Sequence, residues 1–338
     1  MKNVKIGVNG FGRIGRLILR RVVQGKGATV CAINDPFITP EYAAYMFKYD
    51  TVHGIFNGEV DSKGDFLIVN GVKIVFTSFL NAGDIPWGKL GVDVVAECTG
   101  KFTKKSDAEV HLKQGAKKVV ISAPAKDGVP TFVMGVNQDK YTDEYNIVSN
   151  ASCTTNCLAP LVKIIDNAFG VEKGLMTTVH SYTATQAIVD SASKKDWREG
   201  RAGAQNIIPS STGAAKAVGE VLPHLKGKLT GCSIRVPTVN VSLVILDVEL
   251  KNKTTYEEIC RAVYNASKGE MNGVVQYCDE LLVSSDFIGN DHTCIFDARA
   301  GIALDSTYFK LFAWYDNEWG YACKLVDLIE HMAKVSKL

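Results

Sequence analysis

The hexapeptide Gly10-Phe11-Gly12-Arg13-Ile14-Gly15 leaves this chain few folds to choose from. Residues 4–9 before it, Val-Lys-Ile-Gly-Val-Asn, read as a short buried strand. Residues 13–24 after it read as a helix with Ile14, Leu17, Ile18 and Val22 on one side. A Gly-x-Gly-x-x-Gly turn alone is a weak signal, because tight turns everywhere use glycine. Here a strand precedes it, a helix follows it, and Asp35 closes the next strand (29–33) twenty positions after Gly15. Together these features predict the first βαβ unit of a doubly wound sheet that binds a dinucleotide. Gly10 and Gly12 let the backbone approach a pyrophosphate at the positive end of the helix. Asp35 can accept hydrogen bonds from an adenosine ribose and repels a 2′-phosphate, which favours NAD over NADP. The plain alternative is a tight strand–helix turn with no ligand.

The alternation continues. Strands are expected at 73–76, 92–97, 118–122 and 147–149, and a helix at 104–114. Such a pattern predicts a parallel sheet with helices on both faces. Past residue 150 the texture changes. A β-branched run at 235–250 and strand-like stretches at 281–287 and 307–315 predict a largely antiparallel sheet with helices on one face. The expected architecture is therefore α/β: a Rossmann-type doubly wound parallel sheet, then a second, α+β domain. The boundaries are set at 1–151, 152–316 and 317–338, the last being an amphipathic helix. Residues 181–206 are polar and contain glycine, and read as a functional loop.

Composition narrows the function classes. The 338 residues are 46% hydrophobic with a net charge of +2, so nothing marks a dedicated nucleic-acid or membrane partner. Nine scattered cysteines, an odd number without a Cys-x-x-Cys pair, argue against a disulfide framework and for a reducing compartment. The six histidines do not cluster at metal-ligand spacing, so no metal is expected. A cytoplasmic location is expected. The terminal Ser336-Lys337-Leu338 spells a peroxisome-type address, which makes a peroxisome or glycosome the alternative.

The chemistry concentrates in Ser149-Asn150-Ala151-Ser152-Cys153-Thr154-Thr155-Asn156-Cys157. An apolar helix-like segment follows, so a helix starting at Ser152 or Cys153 puts the thiol at its positive end, where thiolate is favoured. Ser152, Thr154 and Thr155 surround the sulfur with hydroxyls and amides suited to an oxyanion or phosphate. The bland reading is an N-capped helix with a buried cysteine. Pro160 implies a kink or a later start. Cys157, one turn on, reads as core, with a second oxidisable thiol as the other reading. His180 ends a strand-like run and leads into a polar segment, so it is the candidate base for Cys153. Arg201, Arg235 and the hydroxyl-rich 210–216 stretch would suit two phosphate groups.

These residues together resemble the phosphorylating, glycolytic glyceraldehyde-3-phosphate dehydrogenases. The match runs through the Gly10–Gly15 turn, Ile33-Asn34-Asp35-Pro36, the cysteine nonapeptide and Thr183-Ala184-Thr185-Gln186. It continues in Ser211-Thr212-Gly213-Ala214-Ala215-Lys216, Arg235-Val236-Pro237-Thr238 and Trp314-Tyr315-Asp316-Asn317-Glu318. The resemblance implies Cys153 as nucleophile and His180 as base. It implies that Thr183, Thr185 and Arg235 hold the substrate phosphate, and that Ser152, Thr154, Thr212, Gly213 and Arg201 hold inorganic phosphate. For NAD it implies Asn9, Gly10, Gly12, Arg13, Ile14, Asp35, Thr99, Ser122 and Asn317. It further implies glyceraldehyde 3-phosphate as substrate, oxidised through a Cys153 thioester, and a homotetramer. In that family the loop after Ser181 reaches a neighbouring subunit's cofactor, and the C-terminal helix returns to the NAD-binding domain.

The sequence departs from the family in two places. No arginine occurs from Lys73 to Lys89, where the family carries one near the adenine, and Ala192 replaces a common proline. Two rival readings stand beside the main one. The first is a sister dehydrogenase for another phosphorylated aldehyde such as erythrose 4-phosphate. The second is a binding protein that uses the cofactor crevice for RNA.

Overall fold

The computed structural model describes residues 3–25, 27–193 and 196–338. They form two compact units, each built on its own sheet. The first takes the chain up to residue 132, residues 138–151 and residues 322–338. Its strands are β1 (Val4–Asn9), β2 (Ala28–Asn34), β3 (Val60–Lys63), β4 (Phe66–Val69), β5 (Val72–Thr77), β6 (Val94–Glu97), β7 (Lys118–Ile121) and β8 (Ile147–Ser149). Its helices include α1 (Arg13–Gln24), α2 (Pro40–Lys48) and α3 (Lys105–Lys113).

The spatial order is β3-β4-β5-β2-β1-β6-β7-β8. From β5 to β8 every pair is parallel, while β3, β4 and β5 pair antiparallel. β6 and β7 are buried at every position, the pattern of strands covered on both faces. The β3–β4 hairpin was not expected from the sequence. Its strands are four residues each, β3 being largely polar and β4 apolar but too short to stand out. The order reverses about β1, with β2 on one side and β6 on the other. Doubly wound sheets open their ligand crevice beside such a strand.

The glycine turn has distinct local jobs. Gly10 sits at φ +92°, a left-handed conformation that other residues rarely adopt. A Cβ on Gly15 would stand 2.2 Å from the Gly10 carbonyl oxygen, so the third glycine lets α1 pack against the turn.

The second unit takes residues 133–137 and 152–321. It contains α4 (Cys153–Phe169), α5 (Ala214–Val221) and α6 (Tyr256–Lys268). Its strands are β9 (Val171–Ser181), β10 (Ile208–Ser211), β11 (Leu229–Val236), β12 (Ser242–Leu250), β13 (Val275–Cys278), β14 (Cys294–Asp297), β15 (Ile302–Ala303) and β16 (Tyr308–Tyr315). The order is β10-β11-β9-β12-β16-β14-β13, with β15 on β16. Only β11–β9 and β14–β13 pair parallel, so the sheet is largely antiparallel.

Period-two burial fixes its inner face. Val244, Leu246 and Val248 on β12 and Phe309, Leu311 and Ala313 on β16 are buried, and Met176, Thr178 and His180 on β9 join them. The run expected at 235–250 divides into β11 and β12, because Pro237 and the positive φ of Val241 break it.

The strand expected at 281–287 is not one. The Asp286 carboxylate accepts from the Val283 amide and closes a short 3-10 turn at Ser284–Phe287. Local turn chemistry there overrides the apolar pattern. The last helix, α7 (Trp319–Val335), starts two residues later than expected. The Asp316 carboxylate takes the Glu318 and Trp319 amides and caps it. Its 322–338 part belongs to the first unit, where Asp327 pairs with Arg21 and Ser336 bonds Tyr141.

Replacing Gly15 by alanine should therefore destabilise the first unit by about 1–3 kcal/mol, the usual cost of overpacking. Denaturant unfolding of the variant checks this, and an unchanged midpoint would mean that the turn can relax.

Candidate active site

At the carboxyl ends of β1, β2 and β6 the first unit has a cavity of about 240 Å³. Asn9, Gly10, Gly12, Asp35 and Thr99 line it, as do Phe37, Phe79, Leu80 and Phe102. Gly12 caps α1 without any side-chain bond, at the end of the helix where the backbone amides of Arg13 and Ile14 lie. A Cβ on Gly12 would meet nothing within 4 Å. Open space at the positive end of a helix fits a pyrophosphate. Backbone amides of Phe11 and Phe37 hold the two Asp35 oxygens at the cavity edge, where a ribose would be read.

The Arg13 guanidinium is paired with Asp50, so Arg13 serves this turn through its backbone. Ser122 follows β7, its amide donating to the Glu97 carbonyl. The apolar lining by Phe37, Phe79 and Leu80 stands where a charged adenine contact was missing from the sequence.

A buried polar chain beneath the cavity escaped the sequence reading. Asn9 donates to Glu97 (2.6 Å), as do the amide and hydroxyl of Thr99. The Trp87 indole N–H donates to His111 Nδ1, so the ring proton sits on Nε2 and is given to Glu97 (3.0 Å). An acidic residue ending an otherwise apolar strand was the available signal for Glu97.

In the second unit α4 starts at Cys153 and runs unbroken through Pro160 to Phe169. Ser152 is its N-cap, accepting from the Thr155 amide at 3.0 Å. The Cys153 thiol therefore lies in the first turn, and Cys153 Sγ is 3.5 Å from His180 Nε2. His180 reaches it because the strand period turns it, with Met176 and Thr178, onto the buried face of β9.

Thr154 was expected to offer its hydroxyl to phosphate. That hydroxyl is instead bonded to the Tyr315 hydroxyl (2.8 Å), which also meets Thr178. Burial pushes the Cys153 thiol up. The Arg235 charge opposes this most, followed by the Thr154 hydroxyl and the first-turn amides.

Arg235 lies beside His180 because the two are register partners on parallel β11 and β9. One guanidinium N–H donates to His180 Nδ1 (2.6 Å) and to the Ser181 carbonyl (3.1 Å). Its Nε is buried without a hydrogen-bond partner. Burial, reinforced by the Arg235 charge, lowers His180 to about 3. With Arg235 on Nδ1, the imidazole proton sits on Nε2, facing sulfur. Nδ1 is also 2.7 Å from the Ser181 carbonyl. If Arg235 turns to an anion, Nδ1 can carry the proton and donate it there, leaving Nε2 free as a base.

The remaining candidates fall into four groups. Thr183 and Thr185 bond each other through their hydroxyls just past β9. Thr212 accepts from the Ala214 amide, and Gly213 starts α5 with no side-chain cap. Thr155 donates to the Ala214 carbonyl (3.4 Å) and so draws the α4 and α5 N-termini together. Arg201 is exposed and paired with Asp190 in the loop after β9, of which Lys194 and Lys195 lie outside the described residues. Asn317 accepts from Ser242, which in turn accepts from the Ser181 amide.

A dinucleotide turn and a base-paired thiol at a helix start agree with what family comparison finds. Residues 4–105 match the glyceraldehyde 3-phosphate dehydrogenase NAD binding domain, and 152–317 match the C-terminal domain of the same enzyme. The chain belongs to the glyceraldehyde-3-phosphate dehydrogenase family. Similar proteins include the glyceraldehyde-3-phosphate dehydrogenase of Ogataea parapolymorpha, 57% identical over 331 residues and covering 98% of each chain. The cytosolic enzyme of Sinapis alba is 57% identical over 335 residues, covering 98% of this chain and 99% of its own. Glyceraldehyde-3-phosphate dehydrogenase 3 of Saccharomyces cerevisiae is 56% identical over 331 residues, covering 98% of this chain and 99% of its own.

For this member of the glyceraldehyde-3-phosphate dehydrogenase family, the buried His180 has a measurable signature. Its folded pKa, about 3, lies below the ordinary histidine value of ~6.5. Between these values the unfolded chain binds a proton that the folded chain does not. The stability is fully present above pH ~6.5 and is lost as pH falls toward 3. Denaturant unfolding across this range should show a shallower loss for His180→Gln, by about one proton. Identical slopes would show that the imidazole titrates normally in the fold.

Proposed function

We propose that this chain catalyses the NAD-dependent oxidation of D-glyceraldehyde 3-phosphate to 1,3-bisphosphoglycerate, with inorganic phosphate as acyl acceptor. One observation carries the reading: a thiol in the first turn of α4, 3.5 Å from an imidazole, with two helix N-termini and a partnerless arginine N–H around it. The boundaries are proposed as a cofactor domain over 1–151, a catalytic domain over 152–316, and a 317–338 helix returning to the first.

The Cys153 sulfur, giving its proton to His180, attacks the aldehyde carbon and makes a hemithioacetal. His180 returns that proton to the new oxygen, and its Nε2 then takes it back from the hydroxyl as the carbonyl re-forms. NAD, when bound, accepts the hydride of this oxidation. The product is a thioester on Cys153, which keeps the oxidation energy from being lost to hydrolysis. The α4 amides at Ser152 to Thr154 face developing negative charge on the carbonyl oxygen. Phosphate held at Ser152, Thr154, Thr212, Gly213 and Arg201 attacks the thioester and releases the acyl phosphate. Arg235, with Thr183 and Thr185, holds the phosphate already on the substrate, and its unpaired Nε supports that role.

For the cofactor, Asn9, Gly10, Gly12, Arg13, Ile14, Thr99 and Ser122 form the dinucleotide side. Asp35 reads the ribose, and Asn317 holds the carboxamide. The chain is proposed to act as a homotetramer. Ile188, Val189 and Ile207 and the 89% exposed Trp197, all in the stretch after β9, are apolar surface that an assembly would cover. Light scattering of the pure protein tests this. A cytosolic setting is proposed, as the names of the Sinapis alba and Arabidopsis thaliana relatives state for those proteins.

NADH formation from glyceraldehyde 3-phosphate should require inorganic phosphate. Phosphate-independent turnover would favour the sister dehydrogenase. Iodoacetate should label Cys153 first, and Cys153→Ser should lose nearly all activity yet still bind NAD. Labelling of another thiol would refute the assignment.

Arg235→Leu should chiefly raise KM for the aldehyde, and Arg201→Leu chiefly that for inorganic phosphate. Each shift should be about 10- to 100-fold, the worth of a charged hydrogen-bond partner. Equal shifts in both constants for both variants would dissolve the two-site assignment.

A further inference from the structure

Three of the chain's nine cysteines form a row through the second unit. Cys153 and Cys157 stand one turn apart on α4. Cys157 Sγ lies 3.8 Å from the carbonyl oxygen of Ala313 on β16. Ala313 is the register partner of Phe296 on β14, and Cys294, two residues before Phe296, shares its face of the sheet. Cys157 and Cys294 are both fully buried, and after burial the Cys294 thiol is among the groups that raise the pKa of Cys157. Cys31, Cys232 and Cys278, by contrast, contact oxygen or a threonine. Neither Cys157 nor Cys294 has a part in the proposed reaction.

We propose that Cys157 and Cys294 form a disulfide that takes over the oxidation of Cys153 and returns Cys153 as a thiol. The proposal rests on Cys153 being the reactive thiol. With a hydroperoxide as oxidant, the Cys153 sulfur attacks a peroxide oxygen, the O–O bond breaks, and a sulfenic acid and water form. The Cys157 sulfur then attacks the Cys153 sulfur. The S–O bond breaks, and the hydroxyl leaves as water with the Cys157 proton. Finally the Cys294 sulfur attacks the Cys157 sulfur. The bond to Cys153 breaks, and Cys153 leaves with the Cys294 proton. In sum two thiols give up two hydrogens and two electrons, and one hydrogen peroxide becomes two waters.

Geometry sets the direction of the last step. Residues four apart on a helix have Cβ atoms about 5–6 Å apart. A disulfide needs roughly 3.5–4.5 Å. A Cys153–Cys157 bridge must therefore distort the first turn of α4, and strained bridges exchange readily. Cys157, by contrast, lies against β16 where β14, the strand of Cys294, pairs with it. Burial raises both thiols, but at Cys153 the Arg235 charge, the Thr154 hydroxyl and the first-turn amides oppose it, which favours Cys153 as the leaving group. Burial pushes Cys157 well up. It is thus inert toward peroxide and reacts only with a sulfur held against it.

The test adds one equivalent of hydrogen peroxide to the full-length protein, quenches with N-ethylmaleimide, and maps disulfides by peptide mass spectrometry. In the wild type we expect a Cys157–Cys294 bridge, an alkylated Cys153, and return of activity without reductant. Cys294→Ser should keep its basal activity and its iodoacetate labelling at Cys153. After peroxide it should stay inactive, with Cys153 bridged to Cys157 or oxidised to sulfinic acid. A wild type with no bridge to Cys294, or with recovery equal to that of Cys294→Ser, would overturn the proposal. The wild-type map decides even if the variant folds poorly. Iodoacetate labelling away from Cys153 in untreated wild type would instead overturn the active-site reading, and the relay with it.

Discussion

The hydroxyl of Tyr315 ties the catalytic unit together. It is buried, and a buried hydroxyl without partners is costly. Its two partners come from different elements: Thr154 in the first turn of α4 and Thr178 on β9, each at 2.8 Å. The start of α4 is thereby pinned against β9 and β16 at once. Cys153, next to Thr154, and His180, two residues beyond Thr178, then have little freedom in their separation. The thiol–imidazole contact follows from this link rather than from attraction between the two groups, since burial disfavours charge on both.

The first unit uses the same device. The Trp87–His111–Glu97 chain is satisfied at each step and ends on Asn9 and Thr99, which line the cavity. Fully paired buried networks hold geometry that apolar packing alone leaves loose. Arg235 is the exception: its Nε is buried and unpaired, and its NH1 leans on His180. An arginine left short of partners is poised for an anion, and binding one would release Nδ1. In the proposed reaction this joins substrate binding to base activation through a single side chain.

Much of this was legible beforehand, though unevenly. The cofactor turn and the Cys153 cap are local motifs, and both stand where the residues put them. Pro160 pointed to a kink, yet α4 runs through it because the helix is buried along most of its length. The 281–287 stretch looked like a strand until Asp286 closed a turn there. The bond between the Thr154 and Tyr315 hydroxyls was not visible in the sequence. Glu97 and His111 went unnoticed, because fourteen residues of chain separate the two halves of their contact.

What the sequence determined by itself is what short range can encode. It set the strand–glycine–helix unit, the capped cysteine, and the change from alternating to antiparallel texture near residue 150. Glycine conformations, helix caps and side-chain periods act over a few residues and need no fold to be read. Only the tertiary structure decided that Arg235 stands beside His180, that Tyr315 joins Thr154 to Thr178, and that Cys294 lies near Cys157. Those neighbours are 55, 137 to 161, and 137 residues apart in the chain. Strand register and the face a helix covers choose them, and both are settled only when the whole core packs.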